Sequence, residues 1–110
     1  MSKIIAIDYD ETITDKIPFP EKGNIREEAK KYIKLLYEKG YKLILWTARK
    51  EPYYSECIER LKEEDLYKYF TFDYEKGVTG KIEANFYIDD KSCLDEINWK
   101  KIYNYIIKNI

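Results

Sequence analysis

The 110-residue chain has no histidine, one methionine, two cysteines, three prolines and four glycines. Histidine is the commonest general acid and base in enzymes, so any proton transfer here falls to carboxylates, lysine or tyrosine. Its absence also removes imidazole from any metal site, and Cys57 and Cys93 do not have a zinc-binding spacing. In a chain that runs from Met1-Ser2-Lys3 straight into an apolar stretch, the two read as reduced thiols. No apolar run reaches membrane-spanning length, and nothing at the start resembles a signal peptide. The expectation is a cytoplasmic protein without membrane contact. An excess of charge is missing too: 20 basic and 21 acidic side chains give a formal net charge of −1. That balance gives no general drive toward nucleic acid, so any attraction for an anion must be local. The length suits a single domain spanning 1–110.

What the chain does have is paired acid at the ends of apolar runs. Ile4-Ile5-Ala6-Ile7 leads into Asp8-Tyr9-Asp10-Glu11-Thr12, and Phe86-Tyr87-Ile88 leads into Asp89-Asp90. If both runs are parallel strands lying side by side, four carboxylates meet at one sheet edge. Like charges that close raise each other's pKa. A hard divalent cation with oxygen ligands, Mg²⁺ above all, resolves the conflict.

The pattern predicts strands at 3–7, 42–46, 69–74 and 85–88, and a loop or small hairpin over 11–24. Helices are expected from Ile25, capped by Asn24 and stopped at Gly40, from Pro52 to about Leu66, and from about Leu94 to Lys108. Strands alternating with helices imply an α/β fold: a mainly parallel sheet of about four strands, Rossmann-like, with helices on both faces. Ligands of such sheets bind beyond the C-terminal strand ends, where the strand order reverses. Asp8, Asp10, Thr47, Asp89 and Asp90 all follow directly on a predicted strand.

These motifs resemble those of the haloacid dehalogenase superfamily of phosphatases. That superfamily carries D-x-D-x-T after its first strand, Thr or Ser after the second, a lysine, and an acidic pair after the last core strand. Asp8 to Thr12, Thr47, Lys81 and Asp89-Asp90 match in order. Gly80 to Asp90 and Leu45-Trp46-Thr47-Ala48-Arg49 resemble segments of its small members. The resemblance spans residues 3–91. It implies that Asp8 is a nucleophile forming an aspartyl-phosphate and that Asp10 is the general acid and base. It further implies that Thr47 and Lys81 contact the phosphoryl group, with Arg49 a candidate beside them. Mg²⁺ would be held by Asp8, the Asp10 backbone carbonyl, Asp89 and Asp90. Lys81 stands only eight positions before Asp89, and a fully extended path would carry it to the far sheet edge, so Lys76 is its rival. Glu11 stands where D-x-D-G-T has glycine.

The stretches from Asp10 to Thr47 and from Thr47 to Lys81 have no room for the cap domain that many relatives carry. An open site suits a phosphorylated small molecule or a larger phosphorylated substrate, with nucleic acid not favoured. It can also be closed by a second copy of the chain or by the 13–24 loop. Two other classes share parts of the pattern: a receiver-like domain that accepts a phosphoryl group without turnover, and a phosphate-binding module. Asp10, two residues after Asp8, favours hydrolysis over the first, and the presence of every motif residue favours it over the second.

Overall fold

The computed structural model describes residues 3–15, 23–47, 49–72, 84–89 and 97–110. Its elements run β1 (Ile4–Asp8), α1 (Glu27–Glu38), β2 (Lys42–Trp46), α2 (Tyr53–Glu63), β3 (Phe70–Thr71), β4 (Phe86–Ile88) and α3 (Trp99–Asn109). The strands form one sheet in the order β3-β2-β1-β4, and every pairing is parallel. The chain therefore steps outward from β1 to β2 to β3, then returns to the other side of β1 for β4. The reversal lies between β1 and β4, where such sheets open a crevice at their C-terminal edge.

Alternation along the strands divides the side chains between two faces. Ile5, Ile7, Leu43, Leu45 and Ile88 join Ala29, Ile33 and Leu36 of α1, Cys57 and Leu61 of α2, and Trp99 and Ile106 of α3 in one core. On the opposite face Ala6 and Ile44 are just as fully buried, so neither side of the sheet centre is open to water. Tyr87 and Trp46 meet edge to face at 5.2 Å between ring centroids; Ala6, register partner of Tyr87, is small enough to lie between their strands.

Two helices end alike for different reasons. After α1, Gly40 at φ 96° donates to the Tyr37 carbonyl and Tyr41 to that of Leu36, a Schellman stop that favours glycine. After α2, Asp65 takes the same left-handed turn at φ 58°, with Asp65 donating to Lys62 and Leu66 to Leu61. That stop ends α2 at Glu63 rather than near Leu66. Other boundaries also differ from the sequence reading. Asn24 does not cap α1; it exchanges bonds with Asp15, and Thr14 bridges Ile25 in antiparallel fashion, as a small hairpin would. The third strand, Phe70–Thr71, starts one residue later than expected because a 3₁₀ turn occupies Tyr67–Tyr69, and positions 73 and 74 of the expected strand lie outside the described residues. α3 begins at Trp99, where the Asn98 side chain accepts from the Lys101 amide and supplies the cap.

Candidate active site

Asp8 is the last residue of β1, and β1 and β4 pair with Ile7 opposite Ile88. Asp8 closes β1 and Asp89 follows directly on the end of β4, so the two leave neighbouring strands, which lie about 4.8 Å apart, at the same edge of the sheet. The two carboxylates thus flank the reversal point of the sheet. On the other side of β1, Asp8 pairs in register with Trp46, so Thr47 leaves β2 next to the same edge.

The turn after Asp8 is held by its own backbone. The amides of Thr12, Ile13 and Thr14 converge on the Tyr9 carbonyl at 3.4, 3.0 and 3.2 Å. Glu11 takes the left-handed conformation at φ 61°, and its amide donates to Thr14 Oγ1 at 2.9 Å. The Thr12 hydroxyl, wholly buried, donates to Asp8 Oδ2 at a long 3.5 Å. From α3, Trp99 Nε1 donates to the Thr12 carbonyl at 3.0 Å. From the residue preceding α1, Arg26 Nε donates to the Thr14 carbonyl at 2.7 Å and Nη2 to that of Glu11 at 3.3 Å. Neither Arg26 nor Trp99 stands out as a site support in the sequence, because each acts through carbonyls distant along the chain.

Asp10 extends from this turn toward β2. Arg49 Nε donates to its Oδ2 at 2.8 Å and Nη2 to its Oδ1 at 2.6 Å, a two-pronged ion pair. The Arg49 side chain is only 5 % exposed, and its guanidinium carbon lies 5.2 Å from the centre of the Tyr9 ring. The Asp10 bond raises the pKa of Arg49 above an already high value, so it stays charged. The Arg49 amide donates to Thr47 Oγ1 at 3.2 Å, which ties the threonine to the arginine. Glu51, an acidic residue only two positions from Arg49, accepts from the Ser55 amide at 2.8 Å at the start of α2. Beneath the pair, burial pushes the Tyr9 hydroxyl and the Cys57 thiol each up to about 12, so both are neutral and unreactive at ordinary pH.

A cavity of about 330 Å³ adjoins Arg49 on its α2 side, with Tyr9, Gly23, Glu56, Glu59 and Arg60 among its walls. Arg60 Nη2 donates to the Gly23 carbonyl at 2.7 Å, and a Cβ at Gly23 would meet Asp15 Oδ1 at 2.6 Å, so a side chain there would push the Asp15 carboxylate from its place on the Asn24 amide.

The structure therefore gathers Asp8, Asp10, Thr47, Arg49 and Asp89 at one sheet edge. Lys81, its rival Lys76, and Asp90 lie outside the described residues. Among the described residues no group of three acidic, cysteine or histidine side chains is placed to hold a metal ion. Carboxylates on adjacent strands together with a carbonyl oxygen fit a hard divalent cation.

Among the described residues no helix is long and apolar enough to cross a membrane. Comparison with curated proteins finds none that matches. Among solved structures, a conserved protein from Bacteroides thetaiotaomicron superposes with a TM-score of 0.83 at 28% identity, over 100% of this chain and 93% of that one. The sequence matches the haloacid dehalogenase-like hydrolases over residues 5–109. With that match over nearly its whole length, and carboxylates at the reversal point of a parallel sheet, the chain belongs to the haloacid dehalogenase-like hydrolase family.

Proposed function

We propose that the protein is a phosphomonoesterase that works through an aspartyl-phosphate on Asp8. The observation that carries this reading is the parallel register that sets Asp8 beside Asp89, with Asp10 two residues on from the nucleophile. An Asp8 carboxylate oxygen attacks phosphorus in line with the ester oxygen. The Oδ–P bond forms as the P–O ester bond breaks, and Asp10 gives its proton to the departing alkoxide. Asp10 then takes a proton from water, whose oxygen attacks the same phosphorus. Inorganic phosphate leaves and the Asp8 carboxylate is restored. Thr47 donates a hydrogen bond to a phosphoryl oxygen, and Lys81 offsets the charge gathering there. Asp8, the Asp10 carbonyl, Asp89 and Asp90 would hold Mg²⁺, which when bound neutralises charge on the phosphoryl oxygens.

The backbone supports this division of labour. A nucleophile must be placed to within a fraction of an ångström, and the turn after Asp8 is fixed by three amides on one carbonyl. The substrate class that follows is a phosphate monoester, small or carried on a larger molecule.

The test is phosphate release from p-nitrophenyl phosphate by wild type and Asp8→Asn, with and without Mg²⁺. Turnover that requires both the carboxylate and the cation is expected. Turnover that survives in Asp8→Asn would refute the aspartyl-phosphate.

A further inference from the structure

Asp10 has to be available to a leaving oxygen, yet both of its carboxylate oxygens are bonded to Arg49, at 2.6 and 2.8 Å. The arginine side chain is buried, with its guanidinium carbon over the Tyr9 ring. A planar guanidinium fork that fits a carboxylate fits two oxygens of a phosphoryl group equally well. Arg49 also stands two residues beyond Thr47 and donates its amide to that threonine's hydroxyl, so it belongs to the same strand exit as a predicted phosphoryl contact. The cavity walled by Arg49 and Tyr9 gives the side chain room on its α2 side.

We propose that Arg49 is a substrate-operated latch on Asp10. In the resting site it clamps Asp10; when a phosphoryl dianion arrives, the guanidinium exchanges the carboxylate for two phosphoryl oxygens and frees Asp10 to face the leaving group. The exchange is a swap of ion-pair partners and makes or breaks no covalent bond. It rests on the phosphatase reading for its purpose, but its central event is phosphate binding, which can be followed without turnover. The latch makes Asp10 a competitor of the substrate for one cation. It also confines a released general acid to the time when there is a leaving group to protonate.

The experiment is a double-mutant cycle on the full chain. Inorganic phosphate is titrated calorimetrically, in Mg²⁺ throughout, into wild type, Asp10→Asn, Arg49→Met and the double variant. Methionine keeps the apolar stem over Tyr9 and removes the fork. Removing the Asp10 charge should tighten phosphate about tenfold when Arg49 is present and by less than about twofold when it is not, because a latch couples the two positions. Equal tightening in both backgrounds would mean simple relief of charge repulsion and would overturn the latch, as would no tightening in either. Should Arg49→Met fail to fold, the Nε–H resonance of Arg49 in the wild-type protein serves instead. It should shift as phosphate is added and saturate with the calorimetric affinity, and an unmoved resonance would overturn the latch. Release of p-nitrophenol is recorded alongside. Coupling without turnover keeps the latch and removes the phosphatase reading; turnover without coupling removes the latch alone.

Discussion

The exits of β1 and β2 lie side by side and are built in opposite ways. After β1, the polar groups are spent on backbone. Three amides share the Tyr9 carbonyl, buried Thr12 and Thr14 close the turn, and Arg26 and Trp99 brace it from other elements. After β2, Thr47 is joined to the Arg49 amide, and the guanidinium is paired with the Asp10 side chain through both carboxylate oxygens. A turn secured by carbonyls that cannot leave is a fixed mount. A side chain held by an ion pair can change partner when a stronger anion arrives. On the proposed reading the site joins a rigid half that carries the nucleophile to an exchangeable half that carries charge.

The sharpest way to test the rigid half is to alter its chemistry without altering its shape. Asp8→Asn keeps the size of the side chain and the turn beneath it, and removes the proposed nucleophile. The expected loss is at least about 10³-fold in kcat with the fold unchanged, read from phosphate release together with circular dichroism. A variant that lost activity only by unfolding would break the separation between mount and chemistry.

Next in size is the brace from α3. Trp99 is fully buried and reaches the turn through its indole nitrogen. Trp99→Ala should cost about 3–5 kcal/mol by leaving a cavity, a large share of the about 5–15 kcal/mol typical of a domain. Trp99→Phe keeps most of the volume and gives up one hydrogen bond, a loss of about 1 kcal/mol. Urea unfolding of the two variants separates packing from the bond.

Stability at high pH probes the layer between the two halves. The Cys57 thiol rises from 9.0 and the Tyr9 hydroxyl from 10.0, each to about 12, chiefly because burial disfavours their anions. The unfolded chain sheds these protons from about pH 9 and pH 10, whereas the folded chain keeps them to about pH 12. Their contribution is therefore complete below pH 9 and is lost as pH climbs toward 12. Urea midpoints from pH 8 to 11 should fall for wild type. They should fall less steeply above pH 9 for Cys57→Ala and above pH 10 for Tyr9→Phe. The slope is the readout, since each substitution also changes the level at neutral pH.

The order of strands and helices was legible because apolar runs of four and helical stripes carry their own periods, as in Ile4–Ile7 and the Ala29, Ile33, Leu36 row. The meeting of Asp8 with Asp89 was legible for the same reason: each closes a run, and parallel strands bring their ends together. What escaped had no period or no unique residue type. Gly40 announces a helix stop, but Asp65 takes the same turn without a glycine to mark it. Asn98 was a good cap hidden inside a longer apolar stripe. The clamp of Arg49 on Asp10 joins residues 39 positions apart, and nothing local distinguishes that partner from the nearer Glu51.

The smallest effect belongs to Glu11, where the family pattern has glycine. The backbone explains the preference, for Glu11 sits at φ 61°, a region that costs a side-chain-bearing residue about 1–2 kcal/mol. Glycine removes that strain but frees the unfolded chain, which returns about 0.5–1 kcal/mol. Glu11→Gly should therefore raise stability by no more than about 1.5 kcal/mol. The same change deletes a negative charge one residue from Asp10, so phosphate should bind somewhat more tightly while the double-mutant coupling between Asp10 and Arg49 is unchanged. A stability gain with altered coupling would show that the fixed mount and the exchangeable clamp are not independent, and that the turn itself sets the strength of the ion pair.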